Sequence, residues 1–266
     1  MLVFPQLSTG CIAQFPIRRR QSQRTLLNET TAGRQVRMAD PDAAMVRWEL
    51  KYVGLTDDEK KRIEDLFLAT EGRLRSFAFL DPTVNLLAKT DDLSAPAWNK
   101  APLLSLTSGA PDPFGGDCAW HLQNAGPTPA SISQTMTCPG AFQYCVSAYV
   151  RAAQSNSIDC KLRIRTAAGE VIRSAGAGPD WNRVHCAGNI PDSPDAVTFG
   201  LEIPGERTMD IYGLQVDAQP FPSPYKSSVA GGVYLNTRFE EDVLQVRTEG
   251  VNSHSITLRL TSRANR

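Results

Sequence analysis

Along residues 45–53 apolar and polar positions alternate, with Val46, Trp48, Leu50 and Tyr52 on one parity. Successive strand side chains point to opposite faces, so this stretch predicts a half-buried strand. The period then changes. Thr56 followed by Asp57, Asp58 and Glu59 has the form of a capping box, and the three acids sit at the positive end of a helix dipole. Ile63, Leu66, Phe67 and the Ala69-Thr70 end carry an apolar stripe at i, i+3, i+4 spacing, and Gly72 is the expected C′ residue that stops the helix. A short strand is predicted at 76–80, closed by Asp81-Pro82. Near the far end, 233–235, 243–246 and 255–260 also read as strands. These terminal strands have only each other and the N-terminal strands to pair with, so one sheet built from both chain ends is the economical arrangement.

The middle of the chain has a different texture. Residues 85–225 are rich in Gly, Pro, Ser, Thr and Ala and show no helical period. Short strand-like segments recur at 119–123, 131–136, 143–150, 161–166, 171–174, 183–187, 196–203 and 209–216. Turn signals such as Cys138-Pro139-Gly140, Gly178-Pro179-Asp180 and Pro204-Gly205-Glu206 fall between them. Short strands punctuated in this way predict a β-sandwich or jelly roll. The fold class read from the sequence is therefore mainly β. An α+β host domain, 1–84 plus 226–266, holds an antiparallel sheet or small barrel with one helix, and it is split by an inserted jelly-roll sandwich at 85–225.

Composition narrows the function. Lys plus Arg equals Asp plus Glu, 28 each, and the tightest basic run is Arg18-Arg19-Arg20. Phosphate neutralisation drives nucleic-acid affinity, so this balance argues against a nucleic-acid partner. No run approaches the roughly 18–20 apolar residues of a membrane span. Residues 1–10 lack a basic n-region and a long apolar core, so no secretory signal is read there and synthesis in a cytoplasm is expected. The six cysteines (Cys11, Cys118, Cys138, Cys145, Cys160, Cys186) contain no C-x-x-C pair, and the three histidines do not stand at zinc-ligand spacing. They are expected to act as free, small core residues, with a disulfide among the five at 118–186 as the alternative.

The two ends of the chain resemble bacteriophage distal-tail or tail-tip proteins. The likeness rests on Phe4-Pro5, Gln14-Phe15-Pro16, the strand Trp48-Glu49-Leu50-Lys51-Tyr52, then Leu55-Thr56-Asp57-Asp58-Glu59, the helix, Gly72 and Phe77-Ala78-Phe79-Leu80-Asp81-Pro82. Arg238-Phe239 and Ser253-His254-Ser255 fit the same host domain more weakly. The resemblance covers about a third of the chain. It implies a virion structural protein of the tail tip, six copies in a ring, joined to the tail tube and the baseplate hub. The insert resembles a carbohydrate-binding module through Asn85-Leu86-Leu87, Trp98-Asn99-Lys100, the Asp210-Ile211-Tyr212-Gly213-Leu214-Gln215-Val216 strand and Pro222-Ser223-Pro224-Tyr225. These motifs bracket a fold and do not name a ligand. The resemblance implies that the insert contacts cell-surface polysaccharide.

No G-x-S-x-G, H-E-x-x-H or phosphate-loop motif is present, and no carboxylate pair is singled out as a glycosidase couple. The expectation is a protein that is not an enzyme. Sugar sites set an aromatic ring against a sugar's C–H face with polar groups around it. Trp98, Trp120 and Trp181 are the candidates, with His121, Asp117, Arg163, Arg165 and Asn182 as the polar set. Each tryptophan has a competing reading as a core residue between two sheets. Trp120 alternates with Cys118 and Leu122, Trp98 opens the sandwich, and Trp181 stands in a Gly-Pro-Asp-Trp-Asn turn. No cofactor is expected. For calcium, which takes several oxygen ligands, the available carboxylates are Asp112, Asp117, Asp210 and Asp217, with solvated edge aspartates as the competing reading.

Overall fold

The computed structural model describes residues 1–153, 157–190 and 196–265. The first elements are β1 (Arg18–Glu29), β2 (Gln35–Leu55), α1 (Asp57–Ala69) and β3 (Phe77–Leu80). Ten strands follow: β4 (Asn99–Lys100), β5 (Leu104–Ala110), β6 (Ala119–Asn124), β7 (Ala130–Met136), β8 (Gln143–Ala152), β9 (Ile158–Thr166), β10 (Gly169–Ala177), β11 (Asn182–Asn189), β12 (Val197–Ile203) and β13 (Arg207–Asp217). The chain closes with β14 (Val233–Phe239), β15 (Val246–Gly250) and β16 (Ser253–Arg263). None of the described helices is long and apolar enough to cross a membrane.

Two compact units result. The first comprises 1–8, 12–79 and 234–266, and the second 9–11 and 80–233. The sequence put the seams at 84/85 and 225/226. The structure moves them outward because the flanks of the insert zip to each other. The Asp81 amide donates to the Gly232 carbonyl at 2.8 Å, Lys89 to Val229 at 3.2 Å and Thr90 to Ser228 at 3.0 Å.

The first unit is an open six-stranded sheet in the order β1-β2-β16-β14-β3, with β15 on β16. The alternation at 45–53 is realised in full: Val46, Trp48, Leu50 and Tyr52 are all buried. Trp48 is the hub, its ring 5.0 Å from Phe79 and 4.8 Å from Tyr234, both edge-on. The predicted strand at 243–246 begins only at Val246, and Val243 is exposed.

Helix α1 starts as its sequence dictates. The Thr56 side chain accepts from the Glu59 amide and the Glu59 carboxylate accepts from the Thr56 amide. At the other end Gly72 is one position later than expected. Thr70 is the C-cap and Glu71 takes the left-handed conformation at φ 53°, followed by Gly72 at 65°. The Gly72 amide reaches the Phe67 carbonyl and the Glu71 amide that of Leu68, a Schellman pair.

Glu59 also accepts from the amide and hydroxyl of Ser8, at 2.8 and 2.7 Å, and so ties the N-terminal segment to the helix. Its burial raises the carboxyl's pKa, but the bonds from Ser8 and Thr56 outweigh this and leave it below the usual value. A carboxyl depressed on folding contributes stability that is complete above its unfolded value, about 4.3. That stability is lost as the pH falls through the lower folded value. Glu59→Gln is expected to lower stability by about 1–2 kcal/mol at neutral pH. Urea titrations of parent and variant should converge in acid, and a constant gap down to pH about 2 would refute the ionic account.

Residues 18–29 pair with β2 in a long antiparallel hairpin, register Arg18↔Glu49 to Glu29↔Gln35, with a bulge between Ser22 and Arg24. Beyond the bulge the ribbon is exposed. Leu26 lies opposite Met38 and Asn28 opposite Val36, on one face. Met38 is 53% exposed, Val36 41%, and Leu27, on the other face, 61%.

The second unit is a sandwich of two five-stranded antiparallel sheets, β10-β9-β12-β7-β4 and β11-β8-β13-β6-β5. Inward residues such as Leu162, Ile164, Phe199 and Leu201 of the first sheet and Val146, Ala148, Val150 and Ile211 of the second are buried. Tyr144 meets Phe199 across the core at 5.4 Å. The bracketing motifs hold the sandwich ends. Buried Asn85 accepts from the Leu87 and Val216 amides and donates to the Leu214 carbonyl. Gln215 accepts from the Lys226 amide and donates to the Ser223 carbonyl. Gly213 takes φ 64°, and a Cβ there would lie 3.0 Å from the Tyr225 ring, so only glycine admits both the bulge and the ring.

All six cysteines are free; Cys138, Cys145, Cys160 and Cys186 are buried and Cys118 is exposed. Burial pushes the Cys138 and Cys145 thiols up to about 12 and that of Cys160 to about 11.

Candidate functional site

In β8 the residues alternating with buried Ala148 and Val150 are Tyr149 and Arg151, and in β13 the neighbour of buried Ile211 is Tyr212. The register brings these outward side chains into rows. Tyr149 lies opposite Arg183 on one side and Tyr212 on the other. Arg151 lies opposite Asp210, and Asp210 opposite His121.

The first row is aromatic. The rings of Tyr149 and Tyr212 are 6.1 Å apart, and Phe114 stands edge-on to both, at 5.6 and 5.9 Å. Tyr212 in turn meets Tyr225 at 5.1 Å. The Arg183 guanidinium lies 5.2 Å from the Tyr149 ring and donates to Ser147 Oγ and the Ser223 carbonyl. Phe114, 69% exposed, is carried by a loop that Asp112 organises. The Asp112 carboxylate accepts from the amides of Phe114, Gly116 and Cys118 at 2.8, 3.2 and 3.3 Å. Those amides, Phe114's foremost, outweigh the cost of desolvation and hold this carboxyl below its usual range.

The second row is polar. Asp210 Oδ1 is 2.7 Å from His121 Nδ1, and its Oδ2 accepts from Arg151 Nε at 2.8 Å. The Arg151 guanidinium then lies 4.8 Å from the centre of the Trp181 ring. The sheet therefore presents four aromatic side chains, Phe114, Tyr149, Trp181 and Tyr212, among fixed donors and acceptors. Flat apolar rings beside oriented polar groups suit a ligand with one apolar and one hydroxylated face.

Of the residues singled out in the sequence, Trp181 and His121 lie on this face. Asn182 is exposed but on the other parity. Trp120 has the inward parity of Leu122 and sits half-buried at the margin, its Nε1 donating to the Asp91 carbonyl at 3.2 Å. Trp98 is corrected to a core residue: it is 2% exposed and its Nε1 donates to the Lys89 carbonyl. Arg163 and Arg165 are corrected too, because β9 belongs to the other sheet. Arg163 is spent on Glu170 and Glu202, at 3.0 and 2.5 Å. Phe114, Tyr149, Arg151, Arg183 and Tyr212 went unnoticed. Tyr149, Arg151 and Tyr212 carry a signal, outward parity on strands whose inner face is apolar, whereas Phe114 stands on a loop that has no period to read.

The four aspartates considered for calcium are not gathered. Asp112 holds its loop, Asp210 pairs with His121 and Arg151, and Asp217 accepts from Gln215 and Ser223. Among the described residues no three His, Cys, Asp or Glu side chains group as metal ligands.

No family model and no curated protein matches the chain. Solved structures similar to it include the C-terminal family 22 carbohydrate-binding module of Clostridium thermocellum Xyn10B, at 14% identity and TM-score 0.42, with 53% of this chain and 99% of that one covered. The xylan-binding family 22-1 domain of Paenibacillus barcinonensis Xyn10C matches at 12% identity and TM-score 0.40, over 53% of this chain and 94% of that one. The enzymatically active domain of bacteriophage CBA120 tailspike protein 4 matches at 13% identity and TM-score 0.38, over 52% of this chain and 22% of that one. Values this low assign no ligand. What is shown is the architecture: a mainly β chain, with one unit an open antiparallel sheet and the other a jelly-roll sandwich.

Proposed function

We propose that the chain is a non-catalytic structural subunit of a phage tail tip, and that its sandwich binds glycan on the Phe114–Tyr149–Tyr212–Trp181 face. The observation that carries the glycan reading is the run of outward aromatic rings flanked by the Trp181–Arg151–Asp210–His121 row. Both Asp210 oxygens are engaged, which suits a positioning role better than proton transfer. The tail-tip reading draws support from the hairpin. A two-stranded ribbon is marginal in water by itself, and this one bears Leu27, Val36 and Met38 in the open. Such an arm gains stability when a neighbouring subunit covers it.

Two measurements test the two halves. A glycan array probed with the purified protein is expected to give a defined set of hits, and a blank array would reduce the sandwich to a decoration. Light scattering over a concentration series is expected to give a discrete ring of about six copies. Replacing residues 24–40 by a tight Asn-Gly turn should convert that ring to monomer with the circular dichroism of the folded protein. A variant that still forms rings would remove the arm from the interface.

A further inference from the structure

Beside the aromatic face the sandwich contains an open recess of about 570 Å³, lined by Trp120, Tyr212, Tyr225, Asp91, Asp117 and Cys118 among others. That size falls within the roughly 300–1,000 Å³ of small-molecule sites. Its walls are built. The Tyr225 hydroxyl donates to Asp91 Oδ1 at 2.7 Å, the Trp120 indole to the Asp91 carbonyl at 3.2 Å, and Tyr212 packs against Tyr225. Tyr212 belongs to both places, so the recess continues the aromatic row. The charge differs, however. The aromatic face carries Arg151, Arg183 and His121 around a single carboxylate, Asp210, whereas the only charged side chains lining the recess, among the described residues, are Asp91 and Asp117. The Tyr212 hydroxyl at its edge has a pKa above the usual value, from burial first and then the charge of Asp112, with Asp91 of the recess contributing less.

We propose that the recess is a second contact for the same glycan and takes a sugar unit with a free amino group, as its ammonium ion, in preference to an N-acetylated or acidic unit. This rests on the glycan reading of the face and adds the chemistry of the sugar. An ammonium there feels the charge of the Asp91 and Asp117 carboxylates and has the Trp120, Tyr212 and Tyr225 rings nearby, an arrangement that favours cations twice over. A uronate carboxylate in the same place faces Asp91 and Asp117 with no cation to compensate, and the like charges disfavour it.

The test uses the whole protein, with β-1,4-linked glucosamine hexamer, its fully N-acetylated counterpart and oligogalacturonate as probes, by calorimetry at pH about 5.5, above the ordinary carboxylate range. The glucosamine hexamer is expected to bind about tenfold more tightly than the acetylated one, and oligogalacturonate weakest. The double variant Asp91→Asn with Asp117→Asn keeps the shape and the Tyr225 acceptor, and should bring the free-amine and N-acetylated hexamers to equal affinity. Exposed Cys118 supplies a positional readout, because bound glucosamine hexamer should slow its reaction with a maleimide. Equal binding of the two hexamers by the parent would overturn the recess proposal. So would a preference that survives the double variant, or unslowed Cys118 labelling at saturation. If none of the probes and nothing on the array binds, the glycan reading itself fails, and the recess proposal with it.

Discussion

Replacing Tyr212 with alanine should lower the affinity for any oligosaccharide bound by the sandwich by roughly thirtyfold, the equivalent of about 2 kcal/mol at a central aromatic contact. Tyr212 is where the site's parts meet: Tyr149 and Phe114 pack on it from one side and Tyr225 from the other. Loss of its ring removes a stacking surface and also frees Phe114, which leans on Tyr149 and Tyr212 and is otherwise exposed. The strand itself should survive. The inward neighbours Ile211 and Leu214 are untouched, and Tyr212 is only half-buried. Tyr212→Phe keeps the ring and is the control, expected to bind within about threefold of the parent since the lost hydroxyl is worth ~0.5 kcal/mol or so. Calorimetry against the best array hit, with the melting temperature as a check on folding, decides the matter. A folded Tyr212→Ala protein that binds like the parent would move the site off this face.

The architecture was readable because burial writes a period into the sequence. Strands β7 and β9 bury alternate residues, and Gly and Pro punctuate most of the turns of the sandwich. Strand β5 escaped notice: Leu104-Ser105-Leu106-Thr107-Ser108-Gly109-Ala110 buries only Leu104, so an edge strand leaves little trace. The β1–β2 arm left even less. Neither of its faces is covered, so its order comes from backbone ladder bonds that any residues can make. The site was half legible for a related reason. Attention to tryptophan found Trp181 but also Trp98, whose indole nitrogen is satisfied inside the fold. Parity put Arg163 and Arg165 outward correctly, yet parity cannot say which of two sheets a strand joins. The useful indicator was a tyrosine on the outward parity of a strand with an apolar inner face. Tyr149 and Tyr212 both meet it.

Trp48→Ala is expected to be the most damaging single change in the first unit, at about 3–5 kcal/mol. Trp48 stands at the middle of the sheet's widest strand, 1% exposed, between β1 through Arg19 and β16 through Leu260. Its ring closes a chain of edge contacts running from Tyr234 through Phe79 to Phe4. Phe4 is itself anchored to β3 by the bond from its amide to the Ala78 carbonyl. Removing the indole therefore opens a cavity where three segments distant in sequence converge. Against the roughly 5–15 kcal/mol that stabilises a typical domain, such a loss leaves a marginal fold. Helix α1 is the only α-helix among the described residues and belongs to this unit, so ellipticity at the helical minimum reports on it selectively. The Trp48→Ala protein should lose that signal at a lower urea concentration. Trp48→Phe, which keeps most of the edge contacts, should fall between it and the parent. A Trp48→Ala midpoint within experimental error of the parent would mean that the aromatic cluster contributes area but little cohesion, and that the β1–β2–β16 ladder alone holds the sheet together.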